Sequence, residues 1–358
     1  MISIFTDMMN STYKILGVMS GTSLDGVDLA YINLSYDGKW HYKFLACETI
    51  AYSMDWLIKL KNLVGVSSLE LNQIDEDYTQ YLGGIINTFL KKHHISELDF
   101  ISSHGHTALH QPENGITVQI GNKKELAVLT NHDVICDFRL QDVQFGGQGA
   151  PLVPIGDKLL FPEFNYCVNL GGFANISTEI AGKRIAYDIC PANIVLNHYV
   201  ATLGLEYDDA GKIAASGNCD TNLLEELNNL EFYKKPYPKS LGLEWVEQYI
   251  FPCIDAFNLA TPDILKTFSI HVAIQIGNQI NKGKTLITGG GAYNVFVMEQ
   301  IKEQTSTEIT IPDNSLIEYK EALIFSLLGA LKFRNEVNCL ASVTGAKIDH
   351  SSGKMYHP

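Results

Sequence analysis

Phosphate oxygens are best held by backbone N–H groups that approach without a side chain in the way. Glycine-rich turns after apolar strands are therefore the first places to look for nucleotide chemistry. Three such turns stand out here: Ser20-Gly21-Thr22-Ser23 with Asp25 and Gly26, then Gly171-Gly172, then Gly289-Gly290-Gly291. The hydroxyls of Thr22 and Ser23 would add donors, and Asp25 could hold a magnesium ion through water. Any one of them alone is more often an ordinary tight turn, where glycine is favoured anyway. Their number, and the position of two of them at the start of each half of the chain, point toward phosphate. Asp188, at the end of an apolar segment and before Cys190-Pro191, is placed either as a general base or as a turn or helix-capping carboxylate. His104, His106 and His110 form HxHxxxH. That pattern reads either as metal ligands or as a strand-end loop whose imidazoles bond a polar ligand or simply cap the loop. Two familiar nucleotide signatures are missing. Gly277–Thr285 (GNQINKGKT) spaces its glycines by five residues and leads into a strand, where a phosphate loop needs four and a helix. No GxGxxG occurs.

The elements that must position these residues follow from periodicity. KILGVMS, VDLAYINL and WHYKFLACETI read as an antiparallel meander, and residues 69–93 as a long helix with Leu71, Ile74, Tyr78, Leu82, Ile85 and Phe89 on one side. Strands DFISSHGH, TVQIGN and VICDF follow. A Gly/Pro-rich passage, FGGQGAPLVPIGD, then breaks the regularity, and a domain boundary is expected near residue 135. Beyond it the same style restarts: strands in YCVNLGGFANIST and KRIAYDI, a helix over 193–203, a strand ending at Gly289, and a closing apolar helix over 319–333. The expected division is 1–135 with 334–358 as the first domain and 136–333 as the second.

A chain of 358 residues is long enough for two cores. With 46% hydrophobic and 18% charged residues it has the material to build them. The net charge of −14 is a poor match for nucleic acid or an anionic membrane. Seven scattered cysteines with no CxxC pair suggest neither a disulfide framework nor a zinc ribbon. The first residues lack the basic start of a secretory signal, and no apolar run reaches the ~20 residues of a membrane helix. A cytoplasmic protein is expected.

GVMSGTSLDGVDLA, DFRLQDVQFGGQGAPLVPIGD, NLGGFANIS, ITGGGAYN, EALIF and SVTGA, in this order, resemble the anhydro-N-acetylmuramic acid kinase family over nearly the whole chain. The resemblance implies a two-domain α/β fold of the actin-like, ribonuclease-H-like class, with an interdomain cleft for ATP and sugar. It implies that Gly21, Thr22, Ser23, Leu24, Asp25, Gly26, Val27 and Asp28 form the first phosphate loop, with Gly171 and Gly172 as its counterpart. Gly289, Gly290 and Gly291 with Asn294 match the adenosine-side turn, and Glu321 falls near the nucleotide. Asp188 matches the catalytic Asp, and Arg139, His104, His106 and Asn193 fall on the sugar side. The implied reaction uses ATP and Mg²⁺ to open the 1,6-anhydro ring and phosphorylate O6, by a homodimer acting in cell-wall recycling. The chain departs from the family pattern in three places. Asp188-Ile189-Cys190-Pro191-Ala192-Asn193 replaces Asp-Thr-Gly-Pro-Gly-Asn, Arg139-Leu140-Gln141 replaces a run of arginines, and His106 stands for a usual Gln.

Overall fold

The computed structural model describes residues 11–21 and 24–358. The chain forms two compact units. Pro162–Glu318 make one; the chain up to Phe161, together with Tyr319–Pro358, makes the other.

The first unit opens with β1 (Ser11–Ser20), β2 (Val27–Tyr36) and β3 (Trp40–Ile50), paired antiparallel as expected, with Val18 opposite Leu29. From Ile15 onward β1 is buried on both faces, which explains its unbroken apolar run. A helix, α1 (Ser68–Lys92), crosses back; the Ser67 side chain caps it by accepting the Glu70 N–H. Its Tyr78, Leu82, Ile85, Ile86 and Phe89 are buried in the unit's core. β4 (Phe100–Gln111) then adds parallel to β1, β5 (Ile116–Ile120) pairs with β4, and β6 (Val134–Cys136) adds parallel to β4. The strand Lys354–Tyr356 closes the edge beyond β6.

The second unit repeats this plan. β7 (Tyr166–Leu170), β8 (Phe173–Ile180) and β9 (Lys183–Pro191) form an antiparallel meander. β10 (Lys284–Thr288) and β11 (Glu308–Thr310) add in parallel on the far side of β7. The helix α2 (Asn193–Val200) follows β9 directly, and α3 (Thr261–Gly277) buries Phe268, Val272 and Ile276 in the core. The Gly277–Thr285 segment runs from the end of α3 into β10, which confirms that it is no phosphate loop. Two sheets that each join three antiparallel strands to two parallel ones have the topology expected of the actin-like, ribonuclease-H-like class.

The helix α4 (Asn314–Phe333) loses helical geometry at Tyr319, the residue at which the chain returns to the first unit. Beyond that point α4 lies close on the sheet. A side chain at Gly17 would sit on the Ala322 carbonyl, and one at Gly329 would meet Ser102 Oγ at 2.6 Å. Ser102 in turn donates to the Phe325 carbonyl at 2.6 Å.

The unit limits differ from the expected cuts at 135 and 334. Residues 136–161 stay with the first unit because distant segments bind them. Asp157 pairs with Lys320 at 2.8 Å, both deeply buried, and Gly156 packs on Ile324. The Asp142 carboxylate accepts from Thr344 Oγ1 at 2.7 Å. Arg139 and Glu321 therefore belong to the first unit rather than the second.

Candidate active site

In the first unit, β1 delivers Ser20 and the turn that follows it. Thr22 and Ser23 lie outside the described residues. Leu24 donates its N–H to Gly21 O at 3.4 Å and adopts φ 64°. A Cβ on Gly26 would meet Ile50 O at 2.5 Å, so the end of β3 alone accounts for this glycine. Asp25 is exposed, Val27 is buried at the start of β2, and Asp28 Oδ1 accepts from Thr49 Oγ1 at 2.6 Å. Behind the turn, Ser20 Oγ lies 2.5 Å from Tyr52 OH, 2.8 Å from Tyr78 OH and 3.0 Å from His106 Nδ1. Burial pushes His106 down to about 4, so its ring is neutral near pH 7.

All three histidines of the HxHxxxH pattern lie within β4 rather than in a loop after it. Among the described residues they join no metal-binding group, and each has its own partner. His104 Nδ1 donates to Gly105 O at 2.7 Å, which leaves Nε2 to accept from Arg139 Nε at 2.9 Å. Arg139 Nη1 also donates to Gly149 O at 2.8 Å. The guanidinium is thus fixed along one edge by a neutral imidazole, whose protonation is opposed by burial and then by Arg139 itself. Desolvation raises the Glu321 carboxyl against the pull of Arg139, and Asp28 adds to the rise. Glu321 still reaches solvent, so the surrounding protein crowds its carboxyl without enclosing it.

In the second unit the glycine turns and the start of α2 come together at the end of β7. Ala192 and Ile194 donate their N–H groups to Gly172 O, at 2.8 and 3.2 Å, and Asn193 N–H donates to Gly171 O at 3.2 Å. Asn193 Nδ2 reaches Leu170 O at 3.5 Å. Gly289 takes φ 87°, and a Cβ there would meet Asn169 Oδ1 at 2.7 Å; one on Gly291 would strike Leu170. These two glycines are required by packing. Gly290 differs: it has open space around the Cβ position, and Gly172 meets only Ile194 Cβ at 3.8 Å. Asn294 Oδ1 caps the helix Val295–Glu303 by accepting from Val297 N at 3.0 Å.

Asp188 lies within β9, beside Asn175 of β8. It does not cap α2, whose N-cap is Ala192 without a side-chain bond. Its Oδ2 accepts from Leu241 N at 2.8 Å, and its own N–H donates to Lys239 O at 3.1 Å. Oδ1 has no hydrogen-bond partner among the described residues. Burial raises the carboxyl above its ordinary value, against the Leu241 N–H, which favours the charged form. A half-buried carboxylate with one oxygen anchored and the other open is suited to accept a proton.

The family model for anhydro-N-acetylmuramic acid kinase matches residues 13–358. The chain belongs to this kinase family. It is 32% identical to the anhydro-N-acetylmuramic acid kinase of Haemophilus influenzae, over 95% of this chain and 97% of that one. With the Pseudomonas savastanoi pv. phaseolicola enzyme of the same name it shares 33% identity, over 95% and 98%. Among solved structures it is similar to component A of the Acidaminococcus fermentans (R)-2-hydroxyglutaryl-CoA dehydratase. That match has 15% identity and TM-score 0.46, covering 88% of this chain and 96% of that one. The assignment of fold rests on the strand order of the two sheets.

Sequence reasoning did not single out Asn169, which stands between the Gly171 and Gly289 turns, or the Lys239–Leu241 loop that holds Asp188. Asn169 was legible as the one polar residue inside the apolar run YCVNL. The loop lies more than fifty residues from Asp188 and left no local trace.

Proposed function

We propose that this kinase opens the 1,6-anhydro ring of 1,6-anhydro-N-acetylmuramic acid with water and phosphorylates O6, in the cytoplasm and as a homodimer. The observation that carries the reading is Asp188: an anchored, half-buried carboxylate with a raised affinity for a proton and one free oxygen. In this mechanism Oδ1 takes a proton from the water that attacks C1, while Leu241 N–H holds Oδ2 and fixes the carboxylate's direction. Arg139, set by His104 and Gly149, presents its remaining N–H groups to the sugar. A glycosidase would need a second carboxyl to protonate the leaving oxygen; here O6 leaves toward phosphorus, so one carboxylate suffices.

The fit of ATP rests on Gly290 and Gly172, where glycine leaves space that the protein itself does not fill. The N–H groups of the Gly21–Asp28 segment would hold further phosphate oxygens. Asp25, exposed in that segment, would hold Mg²⁺ through water. The nucleotide supplies the phosphoryl group, and the ion neutralises its charge. Incubation with ATP, Mg²⁺ and the anhydro sugar tests the reading. ADP and N-acetylmuramic acid 6-phosphate are expected in equal amounts; ADP formation that ignores the sugar would contradict it.

A further inference from the structure

Away from the residues assigned to the reaction, the first unit buries a second cluster of reactive side chains. Asp142 lies far along the chain from Cys339 and His350, which pair with each other as a β-bridge, and the three are buried together. Cys339 Sγ lies 3.0 Å and His350 Nε2 3.7 Å from Asp142 Oδ1, and the three atoms all fall within 4.8 Å of one another. His350 Nδ1 donates to the Ile348 carbonyl at 3.0 Å. That bond fixes the tautomer and leaves Nε2 as a lone pair directed at the other two groups. Nε2 is buried and has no hydrogen-bond partner among the described residues, and the residue is only 6% exposed. An unpaired polar atom in such a place ordinarily costs about 1–3 kcal/mol.

We propose that Asp142, Cys339 and His350 bind a divalent transition-metal ion, Zn²⁺ by the chemistry of the donors. One carboxylate oxygen, one sulfur and one imidazole nitrogen form a mixed set that zinc accepts and that hard ions such as Mg²⁺ do not. Tetrahedral zinc with ordinary bond lengths separates its ligand atoms by about 3.3–3.6 Å, so Cys339 Sγ, 3.0 Å from Asp142 Oδ1, would move outward by about half an ångström, while His350 Nε2, at 3.7 Å, would move slightly inward. The Ile348 carbonyl bond to the far ring nitrogen is the usual outer support of a metal-bound histidine. Binding replaces the S–H proton of Cys339 by a metal–sulfur bond and releases that proton to solvent. Thiolate, carboxylate and Zn²⁺ then sum to zero charge, which makes a buried site tenable. Thr344 Oγ1, 2.7 Å from Asp142 Oδ1, is the nearest candidate for the fourth position. Asp142 also accepts the Gly149 N–H at 2.7 Å, and Gly149 O holds Arg139. The ion would clamp the C-terminal segment to the loop that positions this arginine.

The test is to strip the full-length protein with chelator and titrate it with Co²⁺ and with Zn²⁺, using Cys219→Ser as the control variant. One Co²⁺ per chain is expected, with thiolate-to-cobalt charge-transfer absorption and the d–d bands of a four-coordinate ion. Zn²⁺ should displace it and raise the melting temperature. Cys339→Ser should abolish the charge-transfer band, and His350→Gln should weaken binding at least about tenfold, as loss of a ligand or its support does. The Cys219→Ser control should retain both properties. No thiolate band in the wild-type protein would overturn the proposal even if a variant failed to fold. A band that survives Cys339→Ser, or disappears in Cys219→Ser, would also overturn it.

Discussion

Replacing Asp188 with Asn separates a catalytic carboxylate from a structural one, because the first loses rate with stability kept and the second loses stability with rate kept. The amide is nearly isosteric, and its oxygen can still accept the Leu241 N–H at 2.8 Å. It cannot take a proton from water. General-base loss typically costs ~10²–10⁴-fold in rate, or about 2.7–5.5 kcal/mol of transition-state stabilisation. Stability responds differently. Burial raises the folded-state value of this carboxyl, so the ionised form costs folding free energy at neutral pH. That cost is present above the raised value and fades as pH falls toward the unfolded carboxyl's ~3.9. Losing the charge relieves it, while the Leu241 bond loses its charge assistance, a term of order 1 kcal/mol. The two nearly cancel, and a melting temperature within about 3 °C of wild type is expected. Coupled-enzyme detection of ADP and thermal unfolding at neutral pH and at pH ~4 measure both quantities. A variant that keeps activity within about threefold, or one that melts more than about 6 °C lower, would refute the reasoning.

The acid limb of the kcat/KM profile should lie above the ordinary carboxylate value, since protonation of Asp188 removes the base, and should vanish in any residual activity of Asp188→Asn. Gly290→Val should weaken ATP binding with little change in melting temperature, whereas Gly289→Val, forced to φ 87° against Asn169, should destabilise by more than about 2 kcal/mol. Unchanged ATP affinity in a folded Gly290→Val protein would remove the argument that its space belongs to the nucleotide. Gly21→Val should abolish turnover without unfolding the protein, which circular dichroism and an ADP assay would check together. Arg139→Lys keeps the charge but cannot hold His104 and Gly149 O at once, so KM for the sugar should rise at least about tenfold with ATP affinity unchanged.

Much of this architecture was legible because it is local. The apolar run of β1 and the spacing of Tyr78, Leu82 and Phe89 each announce their element within a few residues. The glycine turns were equally visible, but their reasons were not. Gly26 answers to Ile50, and Gly291 to Leu170, contacts that no spacing reveals. The unit limits were missed for the same cause. FGGQGAPLVPIGD looks like a linker, yet Asp142 and Asp157 tie its surroundings to Thr344 and Lys320, far along the chain. The histidine pattern misled in another way. β4 runs on for several residues past His104, so what read as a loop of ligands is a strand whose rings serve Ser20, Arg139 and Thr117.

The central claim is that water opens the ring at C1 with Asp188 as base while the bridge oxygen departs toward phosphorus. One turnover in isotopically labelled water, followed by rapid NMR and mass analysis, tests it directly. One solvent oxygen is expected at C1, with an unlabelled bridge oxygen in the phosphate ester and the α-anomer formed first, because attack opposite the bridge inverts the centre. The β-anomer appearing first, as a double displacement through a sugar–enzyme intermediate would give, or solvent oxygen in the ester linkage, would contradict it.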